Sequence, residues 1–163
     1  MATRHHGSPR EARALDAYVK LLRAAESLTA RLAPGIEAAD LTTGQFGVLE
    51  ALFHLGPLCQ RDLGRKLLRS GGNITVVVDN LERRGLIRRE RGEVDRRFLA
   101  VHLTPQGGAL ISRLFPRHAA RLAEEMAALD AAEQEELARL CKKLGLGGEP
   151  KPGDGPVKVR KRR

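Results

Sequence analysis

Ser70-Gly-Gly-Asn-Ile-Thr-Val-Val-Val-Asp-Asn-Leu-Glu-Arg-Arg-Gly85 is the stretch whose reading decides the fold. Ile74, Val77, Val78 and Leu81 recur three or four residues apart, which places them on one face of a helix. Ser70 is a suitable N-cap, and Gly85 stands where a helix tolerates a left-handed C′ residue. Against this, Thr75 to Val78 are four consecutive β-branched residues, which lose side-chain freedom in a helix and suit a strand. The agreement of both caps with the apolar stripe favours the helix and leaves a strand as the alternative. A helix of this register turns Gly72, Asn73, Thr75, Val76 and Asn80 outward.

Upstream, Gln60 to Leu68 reads as a short helix with Leu63, Leu67 and Leu68 on its inner side. Gly71-Gly72 follows almost at once, so the two segments make a helix-turn-helix. Thr42 and Gln45 form a capping box for a helix carrying Phe46, Leu49 and Phe53, ended by Gly56-Pro57. From Pro9 to Leu32, Leu15, Tyr18, Leu22, Ala25, Leu28 and Leu32 mark a further helix that Pro34-Gly35 is expected to stop. Downstream, Leu86–Arg91 and Arg97–Leu103 read as two strands joined through Gly92-Glu93-Val94-Asp95, a hairpin. Thr104-Pro105 opens a long helix to about Leu129, with Leu110, Leu114, Leu122 and Met126 apolar and Pro116 a point of bending. Asp130 and Glu133 can cap a last helix that buries Leu137, Leu140, Cys141 and Leu144 and ends at Gly145. Beyond it come glycines, prolines and the cations Lys158, Arg160, Lys161, Arg162 and Arg163, with little to bury.

The fold class is therefore mainly α with a small β-hairpin wing. A winged helix-turn-helix lobe spans about 41–104, helices flank it at about 10–33 and 105–144, residues 1–9 form a flexible arm, and 146–163 a disordered basic tail. The 163 residues carry 29 Lys and Arg against 20 Asp and Glu, a formal charge of +9 that favours a polyanionic partner. No apolar run reaches the roughly 18 residues needed to span a bilayer, and the first ten residues lack a secretory signal's apolar core. A cytoplasmic protein with Cys59 and Cys141 as reduced thiols is expected. His54 and His118 lack a second ligand at metal spacing, and no catalytic motif or cofactor fingerprint is present, so no metal, cofactor or enzymatic activity is expected.

Charge is densest between Arg83 and Arg97, where Arg83, Arg84, Arg88, Arg89, Arg91, Arg96 and Arg97 meet only Glu90, Glu93 and Asp95. A solvated face is the plain alternative, but arginine in excess of lysine beside a helix-turn-helix favours phosphate and groove contacts. On the helix opening at Ser70, Asn73 can pair with adenine, and Thr75 and Val76 can touch a thymine methyl. Gly71 and Gly72 either admit close backbone approach or simply form a flexible turn. With Asn80, with Gln60 and Arg61 at the start of the preceding helix, and with Arg91, Arg96 and Arg97 of the hairpin, these make the candidate DNA-contacting set.

Leu41-Thr-Thr-Gly-Gln-Phe-Gly-Val-Leu-Glu-Ala-Leu, Asp79-Asn-Leu-Glu-Arg-Arg-Gly-Leu-Ile and Asp95-Arg-Arg followed by Val101-His-Leu-Thr resemble the MarR (multiple antibiotic resistance regulator) family over roughly residues 10–145. The resemblance implies a homodimer held by its first and last two helices, two winged lobes, a palindromic double-stranded operator and, usually, repression. It implies that Asp79 pairs with a wing arginine, best matched by Arg97, and that Arg96 is the tip reaching a narrow minor groove, the two roles being exchangeable. Ser70-Gly-Gly-Asn-Ile-Thr is similar to members answering quinones and other aromatic compounds. Family inducers sit between the dimerisation helices and the DNA-binding lobe, where Tyr18, Leu22, Phe46, Leu49, Phe53 and His54 are candidates, although core packing also explains the apolar ones.

Cys59 stands where a hydroxyl cap is usual. Beside Arg61 and a helix N-terminus it is a candidate redox-sensitive thiol or merely a tolerated small residue. Redox-sensing members of the family carry their cysteine in the first helix, where this chain has none. Other readings are a non-specific basic nucleic-acid binder, a membrane-surface protein, or a winged helix used only for protein contacts. Tyr18 and four phenylalanines offer no platform for stacked RNA bases, and no helix pairs a basic face with large exposed apolar residues.

Overall fold

Ile74, Val77, Val78 and Leu81 all lie on one helix, and each is at most 9% exposed, so the strand alternative for residues 75–78 falls away. The computed structural model describes residues 7–67, 71–91 and 99–146. Its elements in chain order are α1 Pro9–Glu37, α2 Thr43–Leu55, β1 Leu58–Cys59, α3 Gln60–Lys66, α4 Gly71–Arg83, β2 Ile87–Arg91, β3 Leu99–Leu103, α5 Pro105–Met126 and α6 Ala131–Leu146. Residues up to Glu125 form one unit and those from Met126 another.

In the first unit the core gathers Ile36, Leu41, Phe46, Val48, Leu49, Leu52, Leu63, the α4 stripe, Leu86, Ile87, Val101 and Ile111. Removing a side chain of this size from water contributes about 2 kcal/mol, so α4 is fixed to the lobe chiefly by its four buried residues. The sheet is antiparallel in the order β1-β3-β2, with Ile87 opposite Leu103, Arg89 opposite Val101 and Leu58 opposite Val101 on the other edge. The two-residue β1 is a strand the sequence reading does not contain. The expected second strand is described only from Leu99; Ser70, with its expected cap, and the hairpin residues 92–98 lie outside the described residues.

The two capping boxes, the Thr104 start and the Gly85 stop form as expected. Thr42 and Gln45 close a reciprocal box, with Gln45 N–H to Thr42 Oγ1 3.2 Å and Thr42 N–H to Gln45 Oε1 2.9 Å. Asp130 and Glu133 do the same for α6 at 2.9 Å in both directions. Thr104 Oγ1 accepts from Gly107 N–H at 3.1 Å and donates to the Gly85 carbonyl at 2.6 Å, tying the start of α5 to the end of α4. The Gly85 φ of 68° confirms its left-handed role.

Several boundaries differ from expectation. Pro34 does not end α1 but lies inside it. Its ring disturbs only the preceding turn, and the extra residues bring Ile36, 2% exposed, into the core, which offsets a proline cost of about 3 kcal/mol. α3 ends at Lys66 rather than at Leu68, which lies outside the described residues. Gly145 lies within α6, where a glycine costs only about 1 kcal/mol. Leu137, Leu140, Cys141 and Leu144, expected to be buried, are exposed, as are Leu15, Tyr18 and Leu22 on α1. Their helical spacing marks an exposed apolar stripe on each of the two helices.

Candidate nucleic-acid interface

α3 and α4 form the helix-turn-helix, and β2 and β3 the base of the wing. On α4, Gly72, Asn73 and Val76 are exposed, Val76 at 59%. Thr75 and Asn80 are half-buried. Gln60, expected to face the nucleic acid, works inside the lobe. Its Nε2 donates to Thr75 Oγ1 at 2.5 Å and its Oε1 accepts from Arg89 Nη2 at 3.5 Å, so the amide braces α3 against α4. Arg61 is exposed and stands 4.0 Å from Asp62. Asn80 Oδ1 accepts from Arg83.

Asp79 is held by Arg89 of β2. The same guanidinium bonds Glu82 at 2.5 Å, and the Arg89 N–H donates to Glu82 Oε1 at 2.9 Å. Arg89 is 20% exposed; burial works against its charge, but the bonds from Asp79 and Glu82 outweigh that and raise its pKa. Among the described residues the arginine joined to Asp79 is Arg89; Arg96 and Arg97, the expected partners, lie outside the described residues. Sequence reasoning had Arg89 in the basic cluster without a role. The signal was its position: alternation along β2 puts Ile87 and Arg89 on the same face, towards α4.

Arg84 and Arg88 of the cluster are also engaged. Arg88 bonds Glu90, holding the Glu90 carboxyl below its usual range, and His102 Nε2 stands 3.5 Å from the same carboxylate. Arg84 reaches back to Asp40 and Gln45. The cluster is therefore partly a frame that rigidifies the lobe.

Cys59 is the N-cap of α3 but makes no capping bond. Its Sγ–H donates to Asp62 Oδ2 at 3.0 Å, and this bond, helped by Arg61, Arg65 and Lys66, lowers the Asp62 pKa.

Of the expected ligand residues only Phe53 and His54 come together, with their rings 5.1 Å apart. Phe46 and Leu49 are core, at 3% and 0% exposed. Phe53 and His54 lie against Phe115, with the His54 and Phe115 rings 4.4 Å apart, and Tyr18 and Leu22 are on the open face of α1. A cavity of ≈ 610 Å³ lies instead between the end of α1 and α5, lined by Leu32, Gly35, Ala38, Ala39, Leu110, Arg113, Leu114, Arg117, His118 and Arg121. Arg121 is committed to Glu124 and Glu125. Among the described residues, Arg113 and Arg117 have no carboxylate partner.

Comparison with known proteins agrees with this architecture. The family model described as "MarR family" matches residues 41–98. The chain is 34% identical over 134 residues to the uncharacterized HTH-type transcriptional regulator YkoM of Bacillus subtilis (strain 168), covering 82% of this chain and 87% of that protein. It is 33% identical over 137 residues to the HTH-type transcriptional regulator MhqR of the same strain, covering 84% and 94%. Among solved structures, Bordetella bronchiseptica BpsR, whose DNA binding is described as regulated by 6-hydroxynicotinic acid, superposes with a TM-score of 0.72 at 27% identity, covering 80% of this chain and 98% of that one.

Proposed function

Because this chain belongs to the MarR family of transcriptional regulators, we propose that it is a sequence-specific double-stranded DNA-binding regulator, a cytoplasmic homodimeric repressor released by a small ligand. The observation that carries the reading is the outer face of α4, where Gly72, Asn73 and Val76 are exposed while the opposite face is packed and Asp79 and Glu82 are locked to β2 through Arg89. A helix held this firmly is suited to enter a major groove, with Asn73 reading adenine and Val76 a thymine methyl. Arg91, Arg96 and Arg97 supply the wing's phosphate and minor-groove contacts. Selection of duplexes from a random pool at about 150 mM salt, where non-specific binding is suppressed, should enrich a near-palindrome with half-sites about one helical turn apart. Enrichment of nothing would leave only a basic nucleic-acid binder.

The dimer reading rests on the uncovered apolar residues of α6 and of α1. Leu140→Glu, which places a charge among Leu137, Cys141 and Leu144, should convert the protein to a monomer in sedimentation and abolish palindrome binding. An unaltered dimer would exclude this face.

The ≈ 610 Å³ cavity suits the effector. Its apolar walls from Leu32, Leu110 and Leu114 can take an aromatic body, and Arg113 and Arg117, which have no carboxylate partner among the described residues, an anionic substituent. This site replaces the residues expected from sequence. Redox sensing through Cys59 gains no support, since the sulfur is occupied as a donor to Asp62.

A further inference from the structure

We infer that Arg84 is a positioning residue that clamps the end of the DNA-reading helix to the corner between α1 and α2, so that it sets the placement of the lobe rather than touching DNA. This rests on the dimeric DNA-binding reading above. Arg84 follows the last residue of α4 and precedes the left-handed Gly85, which turns the chain away to β2. Its Nη1 donates to the Asp40 carbonyl at 2.5 Å and lies 3.5 Å from Gln45 Oε1, while its Nη2 stands 3.1 Å from Asp40 Oδ2. The side chain is 32% exposed, whereas that of Arg61 on α3 is 71% exposed. The neighbouring Arg83, the last residue of α4, bonds Asn80 within the helix instead.

The corner it grips is unusual. Asp40 has φ 56°, a left-handed conformation that costs a non-glycine residue energy and persists only where its surroundings hold it. Its amide donates to the Glu37 carbonyl at 2.8 Å, and the Leu41 amide reaches Ile36 O at 3.4 Å, closing the C-terminus of α1. The partial negative charge at that helix end favours a guanidinium there. Gln45 contributes the same Oε1 that caps α2 through Thr42 N–H. One arginine thus joins the ends of three helices: the C-terminus of α1, the N-terminus of α2 and the C-terminus of α4.

Ala38 and Ala39, immediately before Asp40, line the cavity between α1 and α5. Any occupant that displaces this stretch pulls on Arg84, and through it on α4. The clamp is a short mechanical path from the proposed effector site to the reading helix.

The test uses the palindrome selected by the wild-type protein and a duplex carrying one of its half-sites. Affinities and their salt dependence are measured for wild type, Arg84→Gln and Arg84→Lys, each well below its own thermal midpoint. Lysine keeps the charge but cannot span both acceptors in a planar fork. A clamp requires both variants to bind the palindrome about tenfold more weakly, to change less than twofold on the half-site, and to tolerate an inserted base pair at the dyad better than wild type. Equal losses on both duplexes, with the Arg84→Gln salt slope reduced by about one and Arg84→Lys near wild type, would make Arg84 a phosphate contact and overturn the inference. Unchanged affinities would overturn it as well. A wild-type protein with no preference for any palindrome would remove the DNA-binding reading and the clamp together, an outcome distinct from the other two.

Discussion

Gly107→Ala should lower the thermal unfolding midpoint by about 10 °C, whereas Gly108→Ala next to it should leave the midpoint unchanged or raise it. In an ordinary helix either change is favourable by about 1 kcal/mol, because glycine loses the most backbone entropy. Position decides the sign here. A Cβ at Gly107 would lie 1.9 Å from the Leu86 carbonyl oxygen and 2.9 Å from its carbon, and both are backbone atoms that no rotamer can move away. The strand β2 and the start of α5 would have to separate, loosening the bonds from Thr104 N–H to Leu86 O at 3.1 Å and from Thr104 Oγ1 to Gly85 O at 2.6 Å. Overpacking costs about 1–3 kcal/mol and occasionally more, and a clash with immovable backbone lies at the upper end, a large part of a domain's stability. At Gly108 an added Cβ meets nothing within 4 Å. The two midpoints are compared by calorimetry; equal effects at the two sites would contradict the packing account.

Arg89→Ala should weaken binding to the selected palindrome about 100-fold, or about 2.7 kcal/mol. The argument is electrostatic. Arg89 neutralises Asp79 and Glu82, whose side chains are 50% and 37% exposed on the helix proposed to enter the groove. Without the guanidinium these two carboxylates lose their partner among the described residues, and in the proposed docking like-charge juxtaposition with phosphates is costly. The Gln60 amide also loses a partner, so the brace between α3 and α4 slackens. Adding Asp79→Asn to Arg89→Ala should restore part of the affinity, because it removes one repelling charge. Two losses that simply add in the double variant would place Arg89 outside this network.

Much of the lobe is legible from local chemistry. The boxes at Thr42/Gln45 and Asp130/Glu133, the Thr104-Pro105 start and the Gly85 stop are each written in two to four adjacent residues. They survive in the fold because nothing distant competes with them. The α4 stripe is legible for the same reason, its four buried positions outweighing the β-branched run. What is not legible depends on distant partners. β1 is two residues whose pairing with Val101 and Ala100 exists only once β3 is in place. Gly107 reads as an ordinary helical glycine until Leu86 is seen against it.

The site shows the same division. Asn73 and Val76 are placed outward by helical periodicity, as the sequence implies. Gln60 and Arg84 have the composition of surface residues, yet geometry turns both to internal work. The expected ligand residues follow from where the resemblance places an inducer, between the dimerisation helices and the lobe. Phe46 and Leu49 are instead consumed by the core, while the cavity is walled by small residues of α1 and arginines of α5 that no local pattern marks. The exposed leucines of α6 are correct in spacing but await a surface to cover them.

The most direct test of the whole account is the ratio of dissociation constants for the selected palindrome and a scrambled duplex of the same length and composition, at about 150 mM salt. A sequence-reading dimer should prefer the palindrome by about a thousandfold or more, with two chains bound per duplex. Equal affinities for both, falling together as salt rises, would contradict it and leave a basic protein that binds nucleic acid by charge alone.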